Sequence, residues 1–266
     1  MKAENIILIC GSPRSGSTLL YNSICSSGLF NPSLPENHLV PNLIKNLRRQ
    51  INRNKKEMYM HFESDEVTID FFKKIIEDYF DDIISKYKVK NLALKSLLFG
   101  SCIDILLKMF SFLNPIFIIR DPRDIISSLL EISKKQIESN IKPNYPNNIS
   151  LLCNFINDHY KFLLDDGYKQ ITNKVEIIKY EDLVSNTNET LNNLIKRVKI
   201  NYTYKKNHSF WDNANNINPN NNPYNSLLWN KKPSTERIGI YKKLLKESDV
   251  LEINLLCKDL LNKFNY

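Results

Sequence analysis

Residues 6–18, IILICGSPRSGST, place the strongest constraint on how this chain can fold. Five apolar residues are interrupted by Gly11, and a second apolar run at 19–24 has the spacing of a helix. The pattern predicts a strand, a loop and a helix in succession. The loop has the spacing G-x-x-x-x-G followed by two hydroxyl residues, which is typical of loops that bind phosphate at a helix N-terminus. Taken alone, the loop also fits a tight turn whose glycines serve only geometry.

The loop differs from the version that binds nucleoside triphosphates. That version has a lysine before its Ser or Thr, whereas this chain has Ser17 there and carries a cation at Arg14 instead. Because the missing lysine is the group that reaches a γ-phosphate, the sequence disfavours hydrolysis of ATP or GTP and favours a different phosphate ester. Small residues let backbone N–H groups converge on an anion, which the helix dipole also attracts. Residues 11–18 therefore predict an anion site that contains a guanidinium.

Length and composition predict one soluble α/β domain, with residues 1–266 as a single unit that includes insertions. The hydrophobic content is 42%, and no apolar run approaches the roughly 20 residues of a membrane span. The five cysteines are spread widely without the spacing of metal ligands, which predicts a reducing compartment and no metal centre. We therefore expect a cytoplasmic protein without stable membrane insertion.

The formal net charge of +8 either favours an anionic partner or reflects a composition rich in Lys and Asn. The basic residues of segment 45–56 flank an apolar helical stripe, so they form a solvated face or a surface for an acidic acceptor. The sequence has no helix-turn-helix pattern and no basic stripe interleaved with aromatic residues, so nucleic acid is not expected as a partner. An asparagine-rich stretch at 212–225 predicts a surface loop or a lid that a ligand orders.

Three further apolar runs are each followed by a turn and a helical pattern. They predict strands at 92–96, 116–119 and 175–180, and helices at 103–112, 150–166 and 189–198, with one further helix running to residue 264. Asn114 and Pro115 are expected to separate a helix from the strand at 116–119. Unbroken apolar runs suit a parallel sheet that is buried on both faces. Since such sheets bind ligands at the carboxyl ends of their strands, we expect Arg14 and Arg120 at the same edge.

Three stretches, in this order along the chain, resemble the sulfotransferases that use 3′-phosphoadenosine 5′-phosphosulfate (PAPS). They are the loop at 11–18, the pair Arg120 and Ser128 after a buried strand, and the sequence YEDL at 180–183 after another strand. The segment 234–241 is also similar to the last cofactor-contacting loop of that family. The ordered set covers nearly the whole chain and is far more specific than any one of its motifs.

The resemblance implies a P-loop-like, three-layer α/β/α fold with a central parallel sheet of about five strands. It also implies transfer of a sulfonate group from PAPS to a hydroxyl or amine, with release of adenosine 3′,5′-bisphosphate (PAP) and no metal. In this family the loop holds the 5′-phosphate, and the Arg and Ser pair holds the 3′-phosphate. The cofactor-binding residues that the resemblance implies are Pro13, Arg14, Ser15, Gly16, Ser17, Thr18, Arg120, Ser128, Tyr180, Ser234 and Arg237, with Lys232 as a further cation.

Arg14 makes the chain more similar to the tyrosylprotein, carbohydrate and bacterial branches than to the cytosolic small-molecule enzymes, which have a loop lysine. A planar guanidinium can stabilise the charge that develops on the leaving phosphate through two donors. For the base that takes the acceptor's proton, the resemblance favours Glu36, with His38 as the alternative. Lys95 and Ser234 are expected to hold the transferring group.

Two other functions fit the same frame. One is a kinase for a nucleotide or small molecule, and the other is a non-catalytic PAP-binding module. We expect a small molecule or a glycan as acceptor, although the sequence does not choose between a sugar, a lipid, a peptide and a small metabolite. The acceptor pocket is expected from the segments 29–64, 136–150 and 205–230. Near the second strand–loop–helix unit, Asp121, Arg123 and Asp124 are expected to form a charge cluster at a helix start rather than metal ligands.

Overall fold

Four parallel strands form one sheet in the computed structural model, which describes residues 4–53, 55–166, 173–200 and 232–266. The strands are β1 (Asn5–Cys10), β2 (Asn91–Lys95), β3 (Leu113–Ile119) and β4 (Glu176–Lys179), in the order β2-β1-β3-β4. In the register, Ile6 lies opposite both Leu92 and Leu113, and Ile116 lies opposite Glu176. The predicted parallel sheet is confirmed, with four strands in the described residues where about five are expected.

Helices pack on both sides of this sheet. They are α1 (Ser17–Cys25), α2 (Leu39–Arg53), α3 (Lys55–Met58), α4 (Asp65–Tyr87), α5 (Ile103–Met109), α6 (Pro122–Glu138), α7 (Ile149–Leu164), α8 (Tyr180–Ser185), α9 (Thr187–Arg197), α10 (Tyr241–Leu244), α11 (Glu247–Leu256) and α12 (Lys258–Phe264). Among the helices of the described residues, none has the length and apolar character needed to cross a membrane. The asparagine-rich stretch 212–225 and the predicted acceptor segment 205–230 lie outside the described residues.

The side chains of β1 alternate between two separate hydrophobic cores, as successive residues of a strand must. Ile6 and Leu8 pack in the core that contains buried residues of α2, α4, α6 and α7, whereas Ile7 and Ile9 pack in the core of α1, α8 and α9. Each of these fully buried side chains contributes about 1.5–3 kcal/mol relative to an exposed one. The sheet is therefore sandwiched between helix layers, and the predicted three-layer α/β/α fold is confirmed.

Asn114 and Pro115 lie inside β3, so the expectation that they precede the strand is wrong. Pro115 is paired with Leu8 of β1, but pairing between β3 and β4 begins only at Ile116. At Pro115, β3 therefore has one neighbouring strand in the described part of the chain. A missing N–H is tolerated at such a position, because only one side of the strand needs to form hydrogen bonds.

The chain after residue 240 forms three short helices instead of the single helix that the sequence predicts. Leu245 and Lys246 have extended backbone angles, which end α10. A carboxylate oxygen of Asp249 then accepts from the N–H of Lys246 at 3.3 Å, and this contact begins α11. The resulting bends lay α11 and α12 along α7.

Candidate active site

The loop after β1 contains two glycines that approach their neighbours too closely for a side chain. A Cβ on Gly11 would lie 2.8 Å from the carbonyl oxygen of Ile118, and one on Gly16 would lie 2.5 Å from Cδ2 of Tyr180. Gly16 and Arg14 also have φ values of 96° and 65°, in the left-handed region. The path of the loop is therefore fixed by β3 beneath it and by Tyr180 beside it.

The loop leads into α1, which has no side-chain cap. Gly16 is the N-cap residue, so it offers no side-chain oxygen to the first N–H groups of the helix. The N–H of Leu20 bonds back to the carbonyl of Gly16 at 3.0 Å. The N–H groups of Ser17 and Thr18, earlier in the turn, have no intrahelical acceptor and suit an anion.

A buried tyrosine from α7 supports the loop from below. The Tyr160 hydroxyl donates to the carbonyl of Ile118 at 2.9 Å and accepts from the N–H of Ser12 at 3.2 Å. The Ser15 hydroxyl donates to the Ser12 carbonyl at 2.7 Å, and the Ser12 hydroxyl donates to the Pro13 carbonyl at 3.2 Å. Ser15 thus stabilises the loop's own turn. Sequence reasoning missed Tyr160; its only signal is a tyrosine at an apolar position of a helix.

Arg120 joins the loop to the end of β3, as the shared-edge prediction requires. Its Nη1 donates to the Arg14 carbonyl at 3.1 Å, and the Arg14 Nε donates to the Ser128 hydroxyl at 3.2 Å. The Arg120 guanidinium also stacks on the Tyr180 ring, with Cζ 4.3 Å from the ring centroid. Burial, followed by the neighbouring charge of Arg120, lowers the pKa of Arg14. Two desolvated cations side by side form a site that an anion stabilises.

The C-terminal segment 234–241 reaches the same cluster. Arg120 Nη2 donates to the carbonyl of Arg237 at 2.5 Å, and the Arg237 guanidinium forms an ion pair with Glu131 of α6. Ser234 stands at the start of this segment, where its hydroxyl accepts from the N–H of Glu236 at 3.2 Å. Ser234 is therefore engaged in capping the 3-10 turn Thr235–Arg237.

Glu36 is held beside the loop by two donors. Its Oε1 accepts from the Leu97 N–H at 2.8 Å, and its Oε2 lies 3.2 Å from the Lys95 ammonium group. Lys95 is 3.4 Å from the Thr18 hydroxyl, so it connects the carboxylate to the first turn of α1. The backbone is fixed as well, since the Asn37 N–H donates to the Lys95 carbonyl at 2.8 Å. The carboxylate thus has a defined orientation while its side chain stays 23% exposed.

The predicted site residues fall into two groups that meet at the loop. In the first group, Arg120 contacts Arg14, Tyr180 and Arg237, and Ser128 is bonded to Arg14. In the second group, Lys95 contacts both Glu36 and Thr18. His38 is exposed just before α2, where its carbonyl accepts from the Asn42 N–H. Lys232 is exposed near the start of the C-terminal segment.

Tyr145 is a further residue near this site, in the loop between α6 and α7. The Ser133 hydroxyl donates to the Tyr145 carbonyl at 3.1 Å, and the N–H of Asn144 donates to the Gln136 side chain at 2.8 Å. Burial raises the pKa of the Tyr145 phenol, while the charge of Arg14 opposes that rise and the charge of Glu36 adds to it. The phenol therefore lies within electrostatic reach of both. The sequence pointed only to the segment 136–150 as a whole.

The donors of this site suit a negatively charged ligand. They comprise the first N–H groups of α1 and the guanidinium groups of Arg14 and Arg120, which lie together at the loop. Arg120 is only 6% exposed, and its buried Nε has no hydrogen-bond partner among the residues that the structure describes. A buried donor without a hydrogen-bond acceptor lowers the stability of the fold. Arg120 is therefore suited to a ligand that supplies a hydrogen-bond acceptor.

Fold and site together define an α/β/α protein whose first strand is followed by a glycine-containing loop and an uncapped helix N-terminus. The family model for sulfotransferases matches residues 6–204, so the chain belongs to the sulfotransferase family. No curated protein matches the chain in sequence.

Solved structures of sulfotransferases share this fold. The sulfotransferase domain from the Synechococcus PCC 7002 olefin synthase has 18% identity and a TM-score of 0.58, over 100% of this chain and 96% of that one. The sulfotransferase domain from the curacin biosynthetic pathway has 18% identity and a TM-score of 0.58, over 97% and 99%. Mouse sulfotransferase SULT7A1, solved with PAP, has 13% identity and a TM-score of 0.53, over 98% and 86%.

Proposed function

We propose that this chain is a PAPS-dependent sulfotransferase, which transfers a sulfonate group to a hydroxyl or amine of its acceptor and releases PAP. One observation carries the proposal. Arg120 is buried beside the loop after β1, it bonds to the loop and to the C-terminal segment, and its Nε has no acceptor in the described part of the chain. A 3′-phosphate would supply the missing hydrogen-bond acceptor, and this group distinguishes PAPS and PAP from AMP and ATP. The PAP bound to the mouse relative is consistent with this choice.

We assign the roles from the positions of the side chains and from the chemistry of the transfer. PAPS, when bound, supplies an activated sulfonate: the bond from sulfur to the bridging phosphate oxygen breaks as a bond from sulfur to the acceptor forms. Arg14 stabilises the negative charge that develops on the leaving phosphate. Glu36 takes the acceptor's proton, and Lys95 orients Glu36 against the first turn of α1. The first turn of α1 binds the 5′-phosphate, and Arg120 with Ser128 binds the 3′-phosphate.

Calorimetric titration with PAP, AMP and Mg·ATP, side by side, tests this function. We expect PAP to bind at least about tenfold more tightly than AMP, because hydrogen bonds to a charged group contribute about 1.5–3 kcal/mol. In Arg120→Ala, the ratio of the two affinities should fall toward one. Equal binding of PAP and AMP by the wild type would contradict the proposal, and a preference for Mg·ATP would favour a kinase. Tight PAP binding with no transfer to any acceptor would favour a non-catalytic module.

For the acceptor, we propose a glycan that carries negative charges rather than a neutral small metabolite. The outer face of α2, which begins three residues after Glu36, lines a groove of about 640 Å³ with basic and amide side chains: Asn42, Lys45, Asn46, Arg48, Arg49, Asn52 and Arg53. Arg48 is fixed by an ion pair with Asp104, while Lys45, Arg49 and Arg53 are exposed. Guanidinium and amide donors match carboxylate and sulfate groups.

A comparison of two oligosaccharides of equal length, one with uronic acid residues and one neutral, tests the acceptor class. With PAPS as donor, we expect faster transfer to the acidic one, and replacing Lys45, Arg49 and Arg53 together by alanine should remove the preference. Added salt should also weaken it, since the contacts are exposed. Equal rates on both oligosaccharides would contradict the acidic acceptor without affecting the PAP test.

A further inference from the structure

Asp124, at the third position of α6, is a fully buried carboxylate that holds the C-terminal segment. Its Oδ2 accepts from the N–H of Gly239 at 2.8 Å, and its Oδ1 accepts from the N–H of Tyr241 at 3.0 Å. Gly239 has a φ of 68°, so the chain turns there through a conformation that favours glycine. This turn directs two backbone donors at one side chain, which anchors the segment to α6.

Arg120 holds the other side of the same segment. Arg120 precedes Asp124 by four residues. Its Nη2 donates to the Arg237 carbonyl at 2.5 Å, and the same nitrogen lies 3.7 Å from Asp124 Oδ2. Asp124 thus binds two N–H groups of residues 237–241, and Arg120 binds a carbonyl of the same segment. The Nη1 of Arg120 is bonded to the loop at Arg14, so Arg120 links the C-terminal segment to the loop.

Asp124 is not needed to begin α6, because Asp121 already does so. The side chain of Asp121 accepts from the N–H of Arg123 at 2.9 Å, as an N-cap residue should, and it also forms an ion pair with Arg123. A carboxylate at Asp124 is costly to bury, and burial raises its pKa. Such a group is retained where both of its oxygens have partners, which here belong to the C-terminal segment.

We propose that Asp124 is a positioning residue for the 3′-phosphate site: it fixes residues 237–241 against Arg120, and so sets where the guanidinium groups of Arg120 and Arg237 meet the phosphate. This inference rests on the proposed function. It differs from a simple electrostatic role, in which the negative charge of Asp124 would only oppose a nearby phosphate.

The variant Asp124→Asn separates the two roles. Its amide has one oxygen for two backbone donors, and its NH₂ group faces the second N–H, so the segment loses one of its anchors. We expect the affinity for PAP to fall at least about tenfold and the affinity for AMP, which lacks the 3′-phosphate, to change by less than about twofold. Asp121→Asn is the matched control, because it removes the same charge three residues earlier, and it should leave both affinities nearly unchanged.

Calorimetric titration of the three proteins with PAP and with AMP gives the readout. Tighter PAP binding by Asp124→Asn would mean a purely electrostatic role, and an equal loss for both nucleotides would mean general disruption; either result overturns the inference. If Asp124→Asn does not fold, as judged by circular dichroism, Asp124→Ser provides the same comparison. Serine also removes the charge, and it has no NH₂ group to face the backbone N–H groups. A wild type that does not distinguish PAP from AMP contradicts the proposed function instead.

Discussion

Replacement of Arg14 by alanine is expected to lower the rate of sulfonate transfer by about 100- to 1,000-fold, as the loss of one donor to a developing charge does in other enzymes. PAP should still bind, because the proposed contribution of Arg14 is largest in the transition state. The measured quantity is PAP released from PAPS, which reports transfer to any acceptor, including water. This readout does not require the natural acceptor.

The same variant should be no less stable than the wild type when no nucleotide is bound. Burial and the charge of Arg120 lower the pKa of Arg14, so the folded protein holds this guanidinium at a cost. Alanine removes that cost together with the Arg14 Nε bond to Ser128. Thermal unfolding of the two unliganded proteins should therefore give an equal or higher midpoint for Arg14→Ala, a pattern typical of functional residues.

Arg14→Lys is the matched control, since it keeps the charge and loses the planar fork. We expect a loss of activity smaller than that of alanine but still about tenfold, because an ammonium group cannot bond to the leaving oxygen and to Ser128 in the same geometry. Full activity in Arg14→Ala would remove this residue from the mechanism. Full activity in Arg14→Lys alone would show that charge is sufficient.

Much of the fold follows from local sequence patterns. The apolar runs before Gly11 and Arg120 are buried strands, and parallel pairing of β1 with β3 brings the two carboxyl ends to one edge. That single rule predicts that Arg14 and Arg120 lie at the same edge, and the structure adds the contact between them across 106 residues. The pattern fails at Pro115, because whether a strand tolerates proline depends on which neighbours are paired at that residue, and the local sequence does not contain that information.

The residues that support the site are less predictable from sequence than the residues proposed to bind the ligand. Tyr160 occupies a position in an apolar helical pattern that phenylalanine would fill equally well, and its role depends on a bond to Ser12 across 148 residues. Asp124 is part of a charged cluster that the sequence assigns to a helix start, yet only Asp121 caps the helix. Polar side chains that act on distant backbone groups leave no periodic signal, so they become visible only once the chain is folded.

Replacement of Glu36 by glutamine should lower transfer to a neutral hydroxyl by about 100-fold or more, as expected for the loss of a general base. Glutamine can keep the oxygen that accepts from the Leu97 N–H, so the segment should hold its place and PAP affinity should be retained. The variant loses the ion pair with Lys95, and Lys95→Met serves as the control for that loss. If Lys95→Met alone reproduces the full defect, the loss in Glu36→Gln is explained by the broken ion pair and does not identify Glu36 as the base.

The choice of acceptor makes this test specific for proton removal. An acidic phenol that is already ionised at the assay pH needs no base, so Glu36→Gln should transfer sulfonate to p-nitrophenolate nearly as fast as the wild type while failing on an alcohol. A purely structural defect would slow both acceptors equally. His38→Ala separates the two candidate bases: if it loses transfer to the alcohol and Glu36→Gln does not, then His38 is the base. The exposed position of His38 and the fixed carboxylate of Glu36 beside the loop favour Glu36.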